Sequence, residues 1–329
     1  PLIINGNMAI SQRATSVTSV STSKYTTCDR YYLQLNSNTA VYTVTQESLT
    51  SGDAFADGFS KSFKVDVTTA DASLASNEYA QCNYCFEGQD VQMFKKGTAN
   101  AETYTLSFWI KATKTGTNVV QFYDQDNARH ICAQYTVSST DTWEKKVLNF
   151  AADTTGAITN DNSCAFRIDW WLMAGSGSTS GTLPTAWEAE VGANAAVGPY
   201  TSSDLPPFRF ESFGDNKRRC QRYYETSFID GQIPGTSVSG GNSGLNTSWA
   251  DGNCPLPGGG KFKVSKRATP TVVLYARGST TTGQLTSSGT ARTAVATQIG
   301  TEGVEYCDIT SGTASAYSGG SWTASAELT

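Results

Sequence analysis

Charge is scarce in this chain. Asp, Glu, Lys and Arg make up 16% of its 329 residues, and the formal net charge is −5. The one dense basic cluster, Lys217, Arg218, Arg219 and Arg222, is too short to track a phosphate backbone, so nucleic acid is not an expected partner. Long apolar runs are missing: none approaches the ~18 residues that mark a membrane-crossing helix, and no membrane insertion is expected. Histidine occurs once, as His130, and no Gly-x-Ser-x-Gly elbow exists to hold a serine nucleophile. Helical periodicity is nearly absent before residue 200, and no repeat of fixed period appears. The first residues do not read as a secretory leader. The chain opens on Pro1, and an N-terminal part is expected to have been cleaved or to lie outside the sequence.

Gly, Ser, Thr and aromatic residues are abundant instead, a mixture that favours strands and turns. Thr103–Lys111 is the clearest strand. Period two puts Tyr104, Leu106, Phe108 and Ile110 on one face and Ser107, Trp109 and Lys111 on the other. Phe166–Leu172 divides in the same way, with Arg167, Asp169 and Trp171 opposite the apolar set. Strands are also predicted within 2–12, 25–35, 41–46, 59–67, 118–123, 131–137 and 142–150, then at 262–264, 269–275, 293–299, 304–309 and 322–328. The pattern predicts an all-β chain: a jelly-roll β-sandwich over 1–207, a joint over 208–225, and a smaller C-terminal β-sandwich over 226–329. Asp204-Leu-Pro-Pro207 leads into the joint as a rigid corner. Eight cysteines at irregular spacing, in domains too large to need staples, are expected as buried free thiols. Cys82-x-x-Cys85 has no second pair with which to complete a zinc site.

Several short motifs, in a fixed order along nearly the whole chain, carry a resemblance. They are Ile3-Ile-Asn-Gly-Asn-Met-Ala-Ile-Ser-Gln-Arg13, Tyr25-Thr-Thr-Cys-Asp-Arg-Tyr31, Glu87-Gly88, Thr105-Leu-Ser-Phe-Trp-Ile-Lys111 and Thr142-Trp-Glu144. Val197-Gly-Pro-Tyr-Thr-Ser-Ser-Asp-Leu-Pro-Pro-Phe208, Cys220-Gln-Arg-Tyr-Tyr-Glu225, Lys266-Arg-Ala-Thr-Pro-Thr-Val-Val-Leu-Tyr275 and Ala324-Ser-Ala-Glu-Leu328 follow. In this succession the chain resembles a family of bacteriophage virion proteins, the tail fibre and minor structural proteins. Ser11 and Tyr31 stand where that family usually has Trp. A strand of the type Ile-Thr-Gly-Val-Gln-Leu-Glu, usual before Val-Gly-Pro-Tyr, is replaced by Glu190-Val-Gly-Ala-Asn-Ala-Ala-Val-Gly198, so a lost strand or a missing segment is expected there.

The resemblance implies a non-enzymatic virion protein with a carbohydrate-binding-like jelly roll, displayed on the particle as a homotrimer among other virion proteins. Its implied partner is a host surface glycan; the alternative is an architectural head-decoration or appendage-adaptor protein without a ligand. Trp109 and Trp171, with Asp169 and Arg167, are the candidate sugar platform, because a pyranose stacks its C–H face on a ring and gives its hydroxyls to charged groups. Burial of those faces against another sheet is the competing expectation. The loop residues Trp187, Tyr200 and Trp249 are further candidates. Asp169, Glu188 and Glu190 are the acids available to a glycosidase pair, but no catalytic site is expected. Arg219, Arg222, Tyr223 and Tyr224 are expected to serve the joint structurally. No cofactor is expected, although the Asp124-Gln-Asp126-Asn127 turn offers oxygens to a structural calcium.

Overall fold

The computed structural model describes residues 2–175, 188–198, 200–236, 245–247, 252–255, 260–287, 289–309 and 318–328, with 188–197, 245–247 and 252–255 described as backbone. Trp187 and Trp249 lie outside the described residues. The chain forms two compact units, one made of 1–10, 15–213 and 328–329, the other of 11–14 and 214–327.

The first unit is a jelly-roll sandwich of two six-stranded antiparallel sheets. Its strands are β1 (Ser16–Val20), β2 (Lys24–Tyr25), β3 (Tyr31–Asn36), β4 (Val41–Ser48), β5 (Lys61–Thr69), β6 (Tyr79–Glu87), β7 (Tyr104–Ala112), β8 (Gly116–Asp124), β9 (Arg129–Val137), β10 (Glu144–Phe150), β11 (Cys164–Ala174) and β12 (Glu188–Val197). One sheet runs β1-β4-β5-β12-β7-β10 and the other β2-β3-β6-β11-β8-β9. A short helix, α1 (Asp53–Ala56), precedes β5. The predicted inward faces are inward. Tyr104, Leu106, Phe108 and Ile110 of β7 and Phe166, Ile168 and Trp170 of β11 are all buried. Phe122 sits at the centre of their aromatic core, with ring centroids 4.8 Å from Tyr104, 4.6 Å from Phe150 and 5.2 Å from Phe166. Burying each such side chain stabilises the fold by about 1.5–3 kcal/mol.

Four expectations are corrected in this unit. Residues 2–12 form turns, not strands. Asn5, at φ 57, donates from its amide to Ile10 O and Asp29 O and accepts from Ile10 N, so side-chain bonds replace a ladder. Where a lost strand or a missing segment was expected before Val-Gly-Pro-Tyr, a strand is present: β12 lies between β5 and β7, paired from Ala189↔Ala112 to Val197↔Tyr104. Its Ala and Gly residues carry little hydrophobic contrast, and that hid its periodicity. β6, a central strand of the second sheet, is an element the sequence reading did not include. Residues three apart on a strand point to opposite faces, so the Cys82 and Cys85 sulfurs cannot share a ligand. Cys82 packs inward as a buried thiol, and Cys85 forms a disulfide with Cys164 across the β6–β11 pair. The expectation of buried free thiols therefore fails for that pair, and Cys132 is a free thiol that is exposed. Cys85 and Cys164 lie on adjacent strands with Cα atoms 5.8 Å apart, inside the normal span of the bond.

The second unit contains α2 (Phe213–Gln221), which begins at the unit boundary, and β13 (Tyr224–Thr226), β14 (Leu245–Thr247), β15 (Gly252–Pro255), β16 (Thr271–Ala276), β17 (Gln284–Ser287), β18 (Thr290–Ile299), β19 (Val304–Ile309) and β20 (Ser318–Ser325). β18 gives its first half to β17 and its second half to β19, which folds the sheet around a core of Leu274, Leu285, Cys307, Ile309 and Trp322. Residues 262–264, expected as a strand, are irregular, and Phe262 packs its ring 5.4 Å from that of Trp322. The expected joint holds a helix, with Asp215 in its first turn and Arg218 and Arg219 in its last, the charge order that complements the helix dipole.

The scattered motifs meet here. Gln12 donates to Tyr224 O at 2.7 Å, Arg13 lies 3.6 Å over the Tyr224 ring and pairs with Glu327 at 3.0 Å, and Arg267 donates to Ala326 O and Glu327 O. Of the joint residues, Tyr223 and Tyr224 are buried, whereas Arg219 and Arg222 are half-buried. Beside them Glu225 and Lys266 form an ion pair of 2.7 Å with both side chains at 0% exposure. Burial pushes the Lys266 amine below its ordinary range, and Glu225 opposes that shift.

Candidate functional site

The second sheet of the jelly roll turns one face away from the core, and pairing register lines up its side chains. Tyr25, Tyr32, Asn83, Asp169, Gln121 and Cys132 are successive partners across β2, β3, β6, β11, β8 and β9. Strand spacing puts neighbours in such a row about 5 Å apart. A second row carries Cys85, Arg167, Tyr123 and His130, and a third carries Gln34, Gln81 and Trp171.

Asp169 organises this face. It is fully buried and accepts from Arg167 Nε at 2.6 Å, Arg167 Nη2 at 3.0 Å, Asn83 Nδ2 at 2.5 Å and Gln121 Nε2 at 3.2 Å. Burial pushes its carboxyl above the usual aspartate range, and Arg167, Asn83 and Gln121 pull against that. A carboxylate only accepts, so each amide must turn its NH2 toward it. Asn83 therefore points its Oδ1 elsewhere. That oxygen is buried and has no hydrogen-bond partner among the described residues, and the same holds for Trp171 Nε1. The Arg167 guanidinium lies 5.1 Å over the Tyr123 ring. A cleft of about 190 Å³ opens on this face, lined among others by Tyr25, Tyr32, Gln34, Asn83 and Arg167. The Tyr25 and Tyr32 rings stand 4.9 Å apart at 59°.

The expected platform is thus divided. Trp171, Asp169 and Arg167 share one face, as strand alternation predicted. Trp109 stands on β7 in the other sheet, so it cannot act with them on one ligand. Its indole donates to Asp57 at 3.1 Å, and Leu205, Pro206 and Phe208 close around it. Trp171 is 6% exposed with the Tyr79 ring 5.3 Å away, so it offers no open surface for stacking. Tyr25 and Tyr32 provide the accessible rings instead. Asp169 cannot reach a glycosidic bond from beneath the face, and Glu188 and Glu190 lie on β12 in the opposite sheet. Tyr25, Tyr32, Gln34, Gln81, Asn83 and Gln121 were not foreseen. The alternation of Ala80, Cys82, Tyr84 and Phe86 with Gln81, Asn83 and Cys85 was the signal that would have found β6.

The calcium expectation does not fit the structure. The Lys96 ammonium occupies the oxygen cluster, 2.5 Å from Asp124 Oδ2, 3.1 Å from Asp153 Oδ2, 2.8 Å from Thr155 O and 2.9 Å from Gly156 O. Asn127 donates to both Asp124 oxygens, and Asp126 accepts from Thr159 N. The turn that offered oxygens to a metal spends them on its own donors.

No protein-family model and no curated protein matches the chain. Among solved structures it is similar to the enzymatically active domain of tailspike protein 4 of bacteriophage CBA120, at 17% identity and TM-score 0.35, covering 55% of this chain and 21% of that one. It therefore spans about a fifth of that tailspike domain. A putative sugar-binding protein of Bacteroides thetaiotaomicron aligns at 14% identity and TM-score 0.35, over 60% of this chain and 99% of the other. The N-terminal cellulose-binding domain of Cellulomonas fimi β-1,4-glucanase C aligns at 13% and 0.29, over 51% and 90%. At these scores the fold rests on the strand order itself.

Proposed function

We propose that the protein is a bacteriophage virion structural protein, a fibre or appendage component that holds a host-surface glycan on the outer face of the β2-β3-β6-β11-β8-β9 sheet without cleaving it. One observation carries the binding reading: a cleft on that face combines the Tyr25 and Tyr32 rings with a fixed array of amide and guanidinium groups in which Asn83 Oδ1 has no protein partner. Rings that take a C–H face and convergent polar groups that take hydroxyls are what sugar recognition needs. The virion role is supported by the motif succession. Homotrimeric assembly belongs to the same proposal, and a sedimentation mass equal to one chain at micromolar concentration would refute it. A reproducible, competable hit on a glycan array, lost in Asn83→Leu, is the expected result. A blank array from the assembled protein would refute the glycan role, and new reducing ends after incubation with a bound polysaccharide would refute its non-enzymatic character. Exposed Phe55 and Phe210 favour a second reading, an architectural adaptor that buries them against a neighbour.

A further inference from the structure

We propose that the cleft on this face selects acidic sugars, with Arg167 taking the carboxylate of a pyranose such as a uronic or sialic acid. The proposal rests on the glycan reading above and adds the ligand's chemical class.

Among the described residues, Arg167 is the only formally charged side chain lining the cleft. Its counter-ion, Asp169, lies behind it at 0% exposure and does not line the cleft, so a ligand meets the cationic side of the pair. Guanidinium carries five N–H donors in a rigid fork. Two of them are committed to Asp169, through Nε and Nη2. That double bond, with the Tyr123 ring beside the group, fixes the plane of the fork. Nη1 makes no hydrogen bond among the described residues, and the side chain keeps 19% exposure. The edge formed by Nη1 and the second hydrogen of Nη2 is therefore pre-set for another carboxylate, in the paired geometry that favours arginine over lysine.

Ligand sign follows from desolvation. A sugar that covers this edge strips water from a cation. A hydroxymethyl group returns one weak acceptor, whereas a carboxylate returns two charged ones, and buried charged donors left short of partners are costly. Asn83 Oδ1 supplies the complementary acceptor and needs a hydroxyl donor, which a simple carboxylate such as acetate at neutral pH does not offer. Tyr25 and Tyr32 add ring surface. A cleft of about 190 Å³ is below the ~300–1,000 Å³ of drug-sized ligand pockets and suits one ring.

The test uses the full chain and a glycan array that holds acidic and neutral oligosaccharides. Hits are then titrated calorimetrically as the native acidic oligosaccharide and as the same oligosaccharide with its carboxyl groups reduced to hydroxymethyls. The acidic form is expected to bind at least about tenfold tighter, in line with one charge-assisted contact. Arg167→Gln should abolish that difference, with the acidic and reduced forms binding equally. Equal or tighter binding of the reduced form in wild-type protein overturns acid selection and leaves the glycan reading intact. An array blank for both classes overturns both. The wild-type comparison decides the question even if Arg167→Gln does not fold, and uronic and sialic acid hits separate the two carboxylate sources.

Discussion

Lys96→Met removes a charge from the middle of a cage and leaves everything else near its place. Lys96 and Asp124 have side-chain exposures of 6% and 1%, so the pair is shielded from water. Without the ammonium, Asp124 keeps only Asn127, and the Thr155 and Gly156 carbonyls lose a charged donor. Asp153 is better protected, since Arg129 holds it at 3.0 Å and 3.1 Å. Breaking a buried pair from one side costs about 3–5 kcal/mol. The carbonyl losses overlap with that figure and do not add to it. A loss of about 4 kcal/mol in a unit of this size corresponds to a fall of roughly 10 °C in Tm. Calorimetry of the full chain reads it. Adding Asp124→Asn should recover about 1–2 kcal/mol, because the amide no longer needs a counter-charge. A fall of less than about 2 °C, or a double variant less stable than Lys96→Met alone, would show that the cage is solvated and the reasoning wrong.

Two further outcomes follow from the same unit. Cys164→Ser opens a cross-link between residues 79 apart in sequence, for which the loop-entropy relation gives about 4.5 kcal/mol; urea unfolding should show a loss of about 2–5 kcal/mol, and an unchanged midpoint would mean that the bond is not formed. Arg129, the Thr155 N–H and Lys96 hold the Asp153 carboxyl far below the usual aspartate range. A depressed carboxylate contributes stability above its unfolded pKa of about 3.9, and that stability is lost as pH falls through the folded value. Burial shifts Asp169 the other way, so it does not add to this loss. Urea midpoints should therefore drop as pH falls below about 4, and less steeply in Asp153→Asn; parallel profiles would refute the assignment.

Much of the fold was legible because strand alternation is a local signal. β7 and β11 carry large apolar residues at every second position, and their faces lie as the alternation demands. β12 and β6 were missed for different reasons. β12 alternates residues too small to give contrast, and β6 is buried on both faces, so its alternation is not one of apolar against charged residues. The Asn5 turn was misread because one side chain replaced the ladder that the apolar pattern promised. For the site, alternation placed Asp169, Arg167 and Trp171 on one face. It could not say which strands would lie beside them, and so could not supply Asn83 from β6 or Tyr25 and Tyr32 from β2 and β3. It could not separate Trp109 from Trp171 either, because which sheet a strand joins depends on pairing between distant segments. The motif succession had a similar limit: only the fold shows that Arg13, Tyr224, Arg267 and Glu327 form one cluster.

The most direct test is a crystal structure of the full chain with an oligosaccharide taken from its array hits. The account predicts a sugar ring over Tyr25 and Tyr32, with a hydroxyl donating to Asn83 Oδ1. A sugar bound elsewhere, on the Trp109 face or in a loop, with the Asn83 face empty, would contradict it.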